Sequence, residues 1–475
     1  MRMSVAVREP AGSSRAAEEA PRAPAARAAP AGPQAILALQ RSAGNAAVVA
    51  MLQREPVAEA PPAGPPELTP SPEPRPEVEL LQQKLNWHRG SARVELLKID
   101  GVFGNRTKAA IVAFKRARGI KPHTVTVNAE TWEWLAKPPV SGKARAGKGG
   151  PDYDRMFEDG LLEITIARGF DEHGNAGPEA AQILQGLVGV RGFEVNAEKA
   201  AALRAAAGRP KSTTKATWLV KENVGESAGK PVHAVIRLVA PEVEALGDGS
   251  GARAAALEGM NQGDAFMYGG HARYGTGPDF DRNYRFTVNW DLVKSPPAGK
   301  SGIEVYLDAD KLQEDLKIYG GAAKRIARFE QLRVAKVITF EAVSTGNIGI
   351  NPKPMSHTGD FGAHLMGLAA AGQDRPLEST ITESRYRVWL FNGCSTKDYV
   401  KAIRKSGETN AQLRAGQLGL HVTDDAIPSS ESAEALLTYL DGLMARESAA
   451  ALEERLEKAV SPDPYSSEGF TAAKP

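Results

Sequence analysis

Arg387-Val-Trp-Leu-Phe-Asn-Gly-Cys394-Ser-Thr396 is the stretch on which the fold of this chain turns. Its apolar run reads as a buried strand. Gly393 and the Ser-Thr pair after Cys394 mark the strand's end, where a side chain emerges at the rim of a sheet, the edge at which open sheets place their ligands. Cys394 is the single cysteine among 475 residues, so it neither staples the fold nor builds a thiolate metal cluster. An unpaired cysteine is most often a small buried hydrophobe. A reactive one needs a neighbouring base or positive charge to stabilise its thiolate.

About 120 residues upstream a second apolar stretch, Ala265-Phe-Met-Tyr-Gly-Gly-His271-Ala-Arg-Tyr-Gly275, also ends in glycines, and here the rim residue is a histidine. The chain has eight histidines, at 88, 123, 173, 233, 271, 357, 364 and 421. Only His271 is framed by glycines, at 269, 270, 275 and 277, which allow close backbone approach around one polar side chain. The imidazole and the thiol are expected on the same sheet edge.

The order of histidine before cysteine, each closing a hydrophobic strand, resembles the caspase-like cysteine peptidases, the group that includes caspases, gingipains, separase and the CHAT proteases. Phe266-Met-Tyr-Gly-Gly-His271 matches the family's strand ending in His-Gly, and Trp389-Leu-Phe-Asn-Gly-Cys394-Ser-Thr396 its strand ending in a short cysteine turn. The resemblance spans roughly residues 153 to 460. It implies acyl transfer: Cys394 attacks a peptide carbonyl, His271 protonates the leaving amine, and the backbone N–H groups of Ala272 and Cys394 hold the oxyanion. Ala272 stands where the family usually has glycine, and the continuation Arg273-Tyr-Gly-Thr-Gly-Pro-Asp-Phe280 has no role that its chemistry assigns. In such folds the strand after the cysteine helps shape the pocket for the residue before the cut. Asp424 and Asp425 there would favour a basic side chain, with a solvated loop as the plainer explanation.

The flanking pattern points to an α/β layer structure. Leu162–Ala167, His233–Val239 and Val334–Phe340 read as strands separated by Ala-rich helical stretches. A helix is expected at Asp398–Arg404, a strand ending at Gly419–Asp425, and a long helix opened by Ser429 and Ser430 with Ala433, Leu436, Leu437, Leu440 and Leu443 on one face.

Outside this region the composition divides the chain. Net charge is +2 and hydrophobic residues make up 42%, which leaves ample core material and gives nucleic acid no electrostatic footprint. No run of 18 apolar residues and no signal-peptide core is found, so neither a membrane span nor Sec-type export is indicated, and synthesis in the cytoplasm without a signal peptide is expected. Residues 1–76 are an Ala/Pro-rich arm expected to be disordered, with one short amphipathic helix at 35–54. Within it Leu39-Gln-Arg-Ser-Ala-Gly-Asn-Ala-Ala-Val48 resembles a segment recurring near the N-termini of proteins associated with extracellular contractile injection systems. That resemblance implies a loading element for the tube or cap of an injection particle, and delivery outside or into a target cell.

After a Pro-rich spacer, Pro56 to Pro76, the stretch Val78–Leu135 resembles the small helical peptidoglycan-binding domain of many cell-wall enzymes, assigned here to residues 77–136. Its first helix carries Leu80, Leu81, Gln82, Leu85 and Asn86, its turn Asp100-Gly-Val-Phe-Gly104, and its second helix Thr107–Phe114 with Ala110, Ile111 and Phe114 toward the core. The resemblance implies glycan binding, although such modules also serve as spacers and docks. A Gly/Lys/Pro linker at 137–152 precedes the α/β domain at 153–460, and 461–475 reads as a flexible tail.

The expected fold class is therefore multidomain: a disordered arm, a small all-α peptidoglycan-binding-like domain, and a C-terminal α/β caspase-like domain with a mostly parallel sheet flanked by helices. The expected function is a cysteine endopeptidase acting on a protein substrate as injection-particle cargo, with no cofactor and no metal. The alternatives are a non-catalytic structural or adaptor protein and a wall-acting peptidase or transpeptidase. An L,D-transpeptidase carries its histidine within a few residues of the thiol, and an NlpC-type peptidase has its histidine after the cysteine, where this chain offers only His421. The cluster His357, Asp360 and His364 has zinc-ligand chemistry and lacks a convincing third-ligand motif downstream.

Overall fold

The computed structural model describes residues 67–89, 97–136, 149–171, 176–241, 248–351, 360–371, 373–424, 432–460 and 465–470. The helix expected at 35–54, most of the Pro-rich spacer, residues 137–148 of the second linker, His357 and Asp425 lie outside them. The strands are β1 (Leu161–Arg168), β2 (Glu194–Val195), β3 (Thr217–Ser227), β4 (Lys230–Val239), β5 (Ala265–Gly269), β6 (Tyr284–Asn289), β7 (Ile303–Tyr306), β8 (Ile338–Ala342), β9 (Arg387–Asn392), β10 (Leu418–Thr423) and β11 (Tyr465–Glu468).

Eight strands form one sheet in the order β11-β10-β9-β5-β1-β4-β3-β2. The block from β10 to β4 is parallel throughout. β11 and β3 pair antiparallel with its two ends, and β2 pairs antiparallel with β3. Every residue of β1, β5, β9 and β10 is buried, because helices cover both faces. Successive side chains still divide between two cores. Ile164, Met267, Val388 and Leu390 pack with residues of the helices Ala176–Gln185, Ser432–Met444 and Ala449–Ala459. Phe266, Tyr268, Trp389 and Phe391 pack with residues of Ser250–Gln262 and Lys397–Ser406. Each large apolar side chain buried this way contributes about 2–3 kcal/mol. The parallel block sends the C-terminal ends of all five strands to one edge.

Two features differ from the sequence reading. Val334–Phe340, expected as one strand, is divided: Val334 ends the helix Ala322–Val334, Lys336 turns the chain with φ 57°, and β8 begins at Ile338. β8 belongs to a second, antiparallel sheet of order β7-β6-β8, inserted between β5 and β9. With the helices Ala309–Asp315, Ala322–Val334 and Phe361–Ala370 it encloses a core of its own around Phe286, Trp290, Phe329 and Phe361. Farther on, Tyr465–Glu468, within the stretch read as a tail, forms β11 and covers the edge of β10. Its Tyr-Ser-Ser-Glu sequence has no hydrophobic signal, since edge pairing is made by backbone groups.

The N-terminal module has three described helices, Pro76–Arg89, Asn105–Arg118 and Ala129–Ala136. Ala110, Ile111 and Phe114 are buried with Leu81, Leu85, Phe103 and Trp132, as the periodicity requires. Gln82 is the polar centre of the turn. Its amide donates to Asp100 Oδ1 at 2.9 Å and the Val102 carbonyl at 3.0 Å, and its oxygen accepts the N–H groups of Asp100 and Gly101 at 3.0 Å. Lys84 donates to the Val190 carbonyl of the α/β region at 2.8 Å.

Candidate active site

Gly269 and Asn392 lie opposite each other on β5 and β9, so His271 and Cys394 are each two residues beyond the same rung of the ladder. Neighbouring strands are about 4.8 Å apart, and the turns that follow stay in contact. The Gly270 N–H donates to the Asn392 carbonyl at 3.1 Å. A Cβ on Gly393 would collide with the Gly270 carbonyl and lie 3.4 Å from the Ala272 nitrogen, which is why a glycine precedes the cysteine. Cys394 is exposed and the His271 side chain is 37% exposed. The structure thus brings the two expected residues to one open edge.

The loop carrying His271 is fixed from below. The Tyr268 hydroxyl donates to the His271 carbonyl at 2.9 Å and accepts the Asp279 N–H at 3.1 Å. The Tyr399 hydroxyl, from the helix after the cysteine turn, donates to the Ala272 carbonyl at 3.0 Å. Arg273 Nε and Asn283 Nδ2 both donate to Asp279 Oδ2, at 2.6 and 2.5 Å. The Arg273–Phe280 motif, whose chemistry alone assigned it no role, therefore closes this loop on itself through an Arg273–Asp279 ion pair. Burial pushes the Asp279 carboxyl up to about 6 against the pull of Arg273. Left-handed backbone at Arg273, Tyr274 and Ser395, with φ of 46°, 53° and 51°, begins two residues after the histidine and one after the cysteine. Such conformations cost about 1–3 kcal/mol each and persist where the surroundings over-determine them.

The cysteine turn is held by the strands beside it. Thr396 donates its hydroxyl to the Phe391 carbonyl at 2.7 Å and accepts the Thr423 N–H at 2.9 Å, while the Thr423 hydroxyl donates to the Gly393 carbonyl. Asn392 accepts from the Tyr465 hydroxyl at 2.6 Å and donates to Ser432 Oγ at 3.1 Å.

A group the sequence reading missed lies on the other side of His271. Arg168, at the end of β1, pairs with Glu179 at 2.5 Å, and Asp171 sits with Oδ1 3.8 Å from His271 Nε2. Burial lifts the Glu179 carboxyl to about 7, with Arg168 opposing and the Asp171 charge adding to the rise. The available signal was a carboxylate three residues past the end of a fully buried strand, one residue farther out than the histidine and the cysteine stand on theirs.

Among the remaining expected residues, Ala272 is buried, and neither its N–H nor that of Cys394 donates to a backbone carbonyl among the described residues. Asp424 follows β10, whose Val422 pairs with Phe391, at the same edge, and accepts a hydrogen bond from Ser466 at 3.0 Å. His421 is buried inside β10, bonded to the Tyr439 hydroxyl at 2.6 Å. Burial lowers its pKa to about 3, so it is a core residue. His364 bonds Glu330 at 2.8 Å and Asp360 caps its helix through the Ala363 N–H. Among the described residues no group of three His, Cys, Asp or Glu side chains is arranged to hold a metal ion, and no helix is long and apolar enough to cross a membrane.

An imidazole and an exposed thiol that close neighbouring strands at one edge, with two N–H groups on the same pair of turns, are suited to nucleophilic attack on an acyl carbon. Residues 74–135 match the family model of a putative peptidoglycan binding domain. No curated protein and no solved structure matches the chain.

Proposed function

We propose that the α/β region is a caspase-like cysteine endopeptidase, with Cys394 as nucleophile and His271 as general acid and base. The observation that carries this reading is the shared register of β5 and β9, with Gly269 opposite Asn392. In the proposed cycle the thiol proton passes to His271 and the sulfur bonds the peptide carbonyl carbon, whose electron pair moves to oxygen beside the N–H groups of Ala272 and Cys394. The C–N bond then breaks, His271 returns the proton to the leaving amine, and water hydrolyses the thioester to restore the thiol. Asp424, with Asp425, is the proposed selector of a basic side chain before the cut.

The resemblance of Leu39–Val48 supports a place as effector cargo of a contractile injection system, made in the cytoplasm and delivered by the particle. The family match at 74–135 favours a second reading, a peptidase directed to the cell wall by glycan binding. Wild type, Cys394→Ala and His271→Ala should be incubated with peptides differing at the residue before the cut. Cleavage by wild type alone supports the peptidase. Absence of cleavage under every activating condition moves the reading to a non-catalytic adaptor. Retention of the full chain on insoluble peptidoglycan distinguishes the wall-directed reading.

A further inference from the structure

Asp171 reaches the candidate imidazole from the neighbouring strand. β1 pairs with β5 so that Arg168 lies opposite Gly269. Beyond the strand the Gly169 N–H donates to the Gly269 carbonyl at 2.8 Å and the Phe170 N–H to the Asp279 carbonyl at 2.9 Å. The chain is thereby tied along the His271 loop as far as Asp171, whose side chain is only 4% exposed. Its Oδ1 stands 3.8 Å from His271 Nε2, within ion-pair reach and longer than a direct hydrogen bond. Arg168 is turned to Glu179 and to the Gly269 carbonyl, so the two buried carboxylates are placed toward different cations.

We infer that Asp171 is a positioning residue for His271: it orients the ring toward Cys394 and stabilises the imidazolium formed when the thiol proton is transferred. This rests on reading Cys394 and His271 as a dyad, and it adds a third member that the dyad does not require. Among the described residues, the charged and titratable groups around the imidazole include Arg168 at the end of β1, Asp171 in the segment after it, and Glu179 from Ala176–Gln185. Arg273 and Asp279 belong to its own loop, Arg282 lies over the Phe170 ring, and Cys394 and Tyr399 come from the cysteine turn and the helix after it. An opposite charge this close favours the charged form of an imidazole.

The test is the rate at which iodoacetamide alkylates Cys394 in the full chain, followed from about pH 5 to about pH 9, because it requires no substrate. Wild type should alkylate about tenfold faster at mildly acidic pH than His271→Ala, the mark of a thiolate held by an imidazolium. Asp171→Asn should lose most of that advantage and Asp171→Glu should recover part of it, while Glu179→Gln should keep it. If wild type and His271→Ala coincide, the dyad reading itself fails. If His271→Ala loses the advantage and Asp171→Asn keeps it, the dyad stands and the role of Asp171 is overturned. A change confined to KM for basic peptides would overturn it too, since Asp171 would then serve substrate selection. Should Asp171→Asn not fold, NMR titration of wild type decides, with the His271 signal identified by its loss in His271→Ala. A midpoint above the model-peptide value of about 6.5 supports the inference, and one at or below it overturns it.

Discussion

Tyr399 donates its hydroxyl to the carbonyl of Ala272 at 3.0 Å, across 127 residues of sequence. This one bond joins the helix that follows the cysteine turn to the loop that follows the histidine. Tyr399 is fully buried and stacks edge-on against Phe391 at 5.1 Å, so its ring belongs to the core and its hydroxyl to the site.

Tyr399→Phe keeps the ring and removes the donor. The buried Ala272 carbonyl then loses a partner at a cost of about 1–2 kcal/mol, read as a lower denaturant midpoint with an unchanged slope. Iodoacetamide reactivity of Cys394 at neutral pH should fall in the same variant. An unchanged midpoint and reactivity would show that the loop is held without this bond.

Cys394→Ala and His271→Ala should behave differently from Tyr399→Phe. Cys394 is exposed and His271 partly so, and substitutions at such positions change stability by within about 0.5 kcal/mol. Peptide turnover should drop to background while thermal unfolding stays in place. Residual cleavage in Cys394→Ala would remove the thiol from the chemistry.

Acidification should destabilise the α/β region through His421. Burial holds its folded pKa at about 3, against about 6.5 in the unfolded chain. The group is depressed on folding, so its contribution is present above about pH 6.5 and is lost as pH falls toward 3. Between pH 6.5 and 4 the loss is about 3 kcal/mol. His421→Gln, which never charges, should begin less stable at pH 8 and lose less over that interval in urea titrations. Parallel curves would show that His421 does not set the acid limit.

Gln82→Ala removes the polar centre of the N-terminal module. Four hydrogen bonds to Asp100, Gly101 and Val102 are lost at once, and the groups left behind cost about 2–3 kcal/mol. Amide exchange of residues 97–107 in the full chain should accelerate strongly. Exchange in β1 and β9 should not change.

Removing residues 465–475 exposes the edge of β10 and takes away the Tyr465 hydroxyl bonded to Asn392. An open edge beside a fully buried strand invites pairing between molecules. The truncated chain should unfold at lower temperature and aggregate at concentrations the full chain tolerates. Tyr465→Phe, which keeps the strand, should lower stability by about 1 kcal/mol without aggregation.

Much of this fold is legible because its signals are local. β5 and the centre of β9 are short runs of consecutive apolar residues followed by glycine, β1 is rich in Leu and Ile and also ends before a glycine, and the first two helices of the small module repeat buried positions at helical spacing. β8 was misplaced since Val334 and Ile338 share one apolar run that a left-handed turn at Lys336 divides. β11 gave no signal, because a polar edge strand is chosen by the backbone groups of its neighbour. Asp171 escaped the reading for the same kind of reason: a carboxylate after a strand looks like any solvated loop residue until the neighbouring strand is known.

The sequence alone determined that a histidine and then a cysteine close two buried strands, and that a helical module precedes them, because hydrophobic runs and glycines act within a few residues. Only the tertiary structure decided that those strands are neighbours with Gly269 opposite Asn392, and that Asp171, Tyr399 and Tyr465 converge on their ends. Strand order and register are set by packing between segments far apart along the chain, where the side chains of one strand meet helices contributed by others.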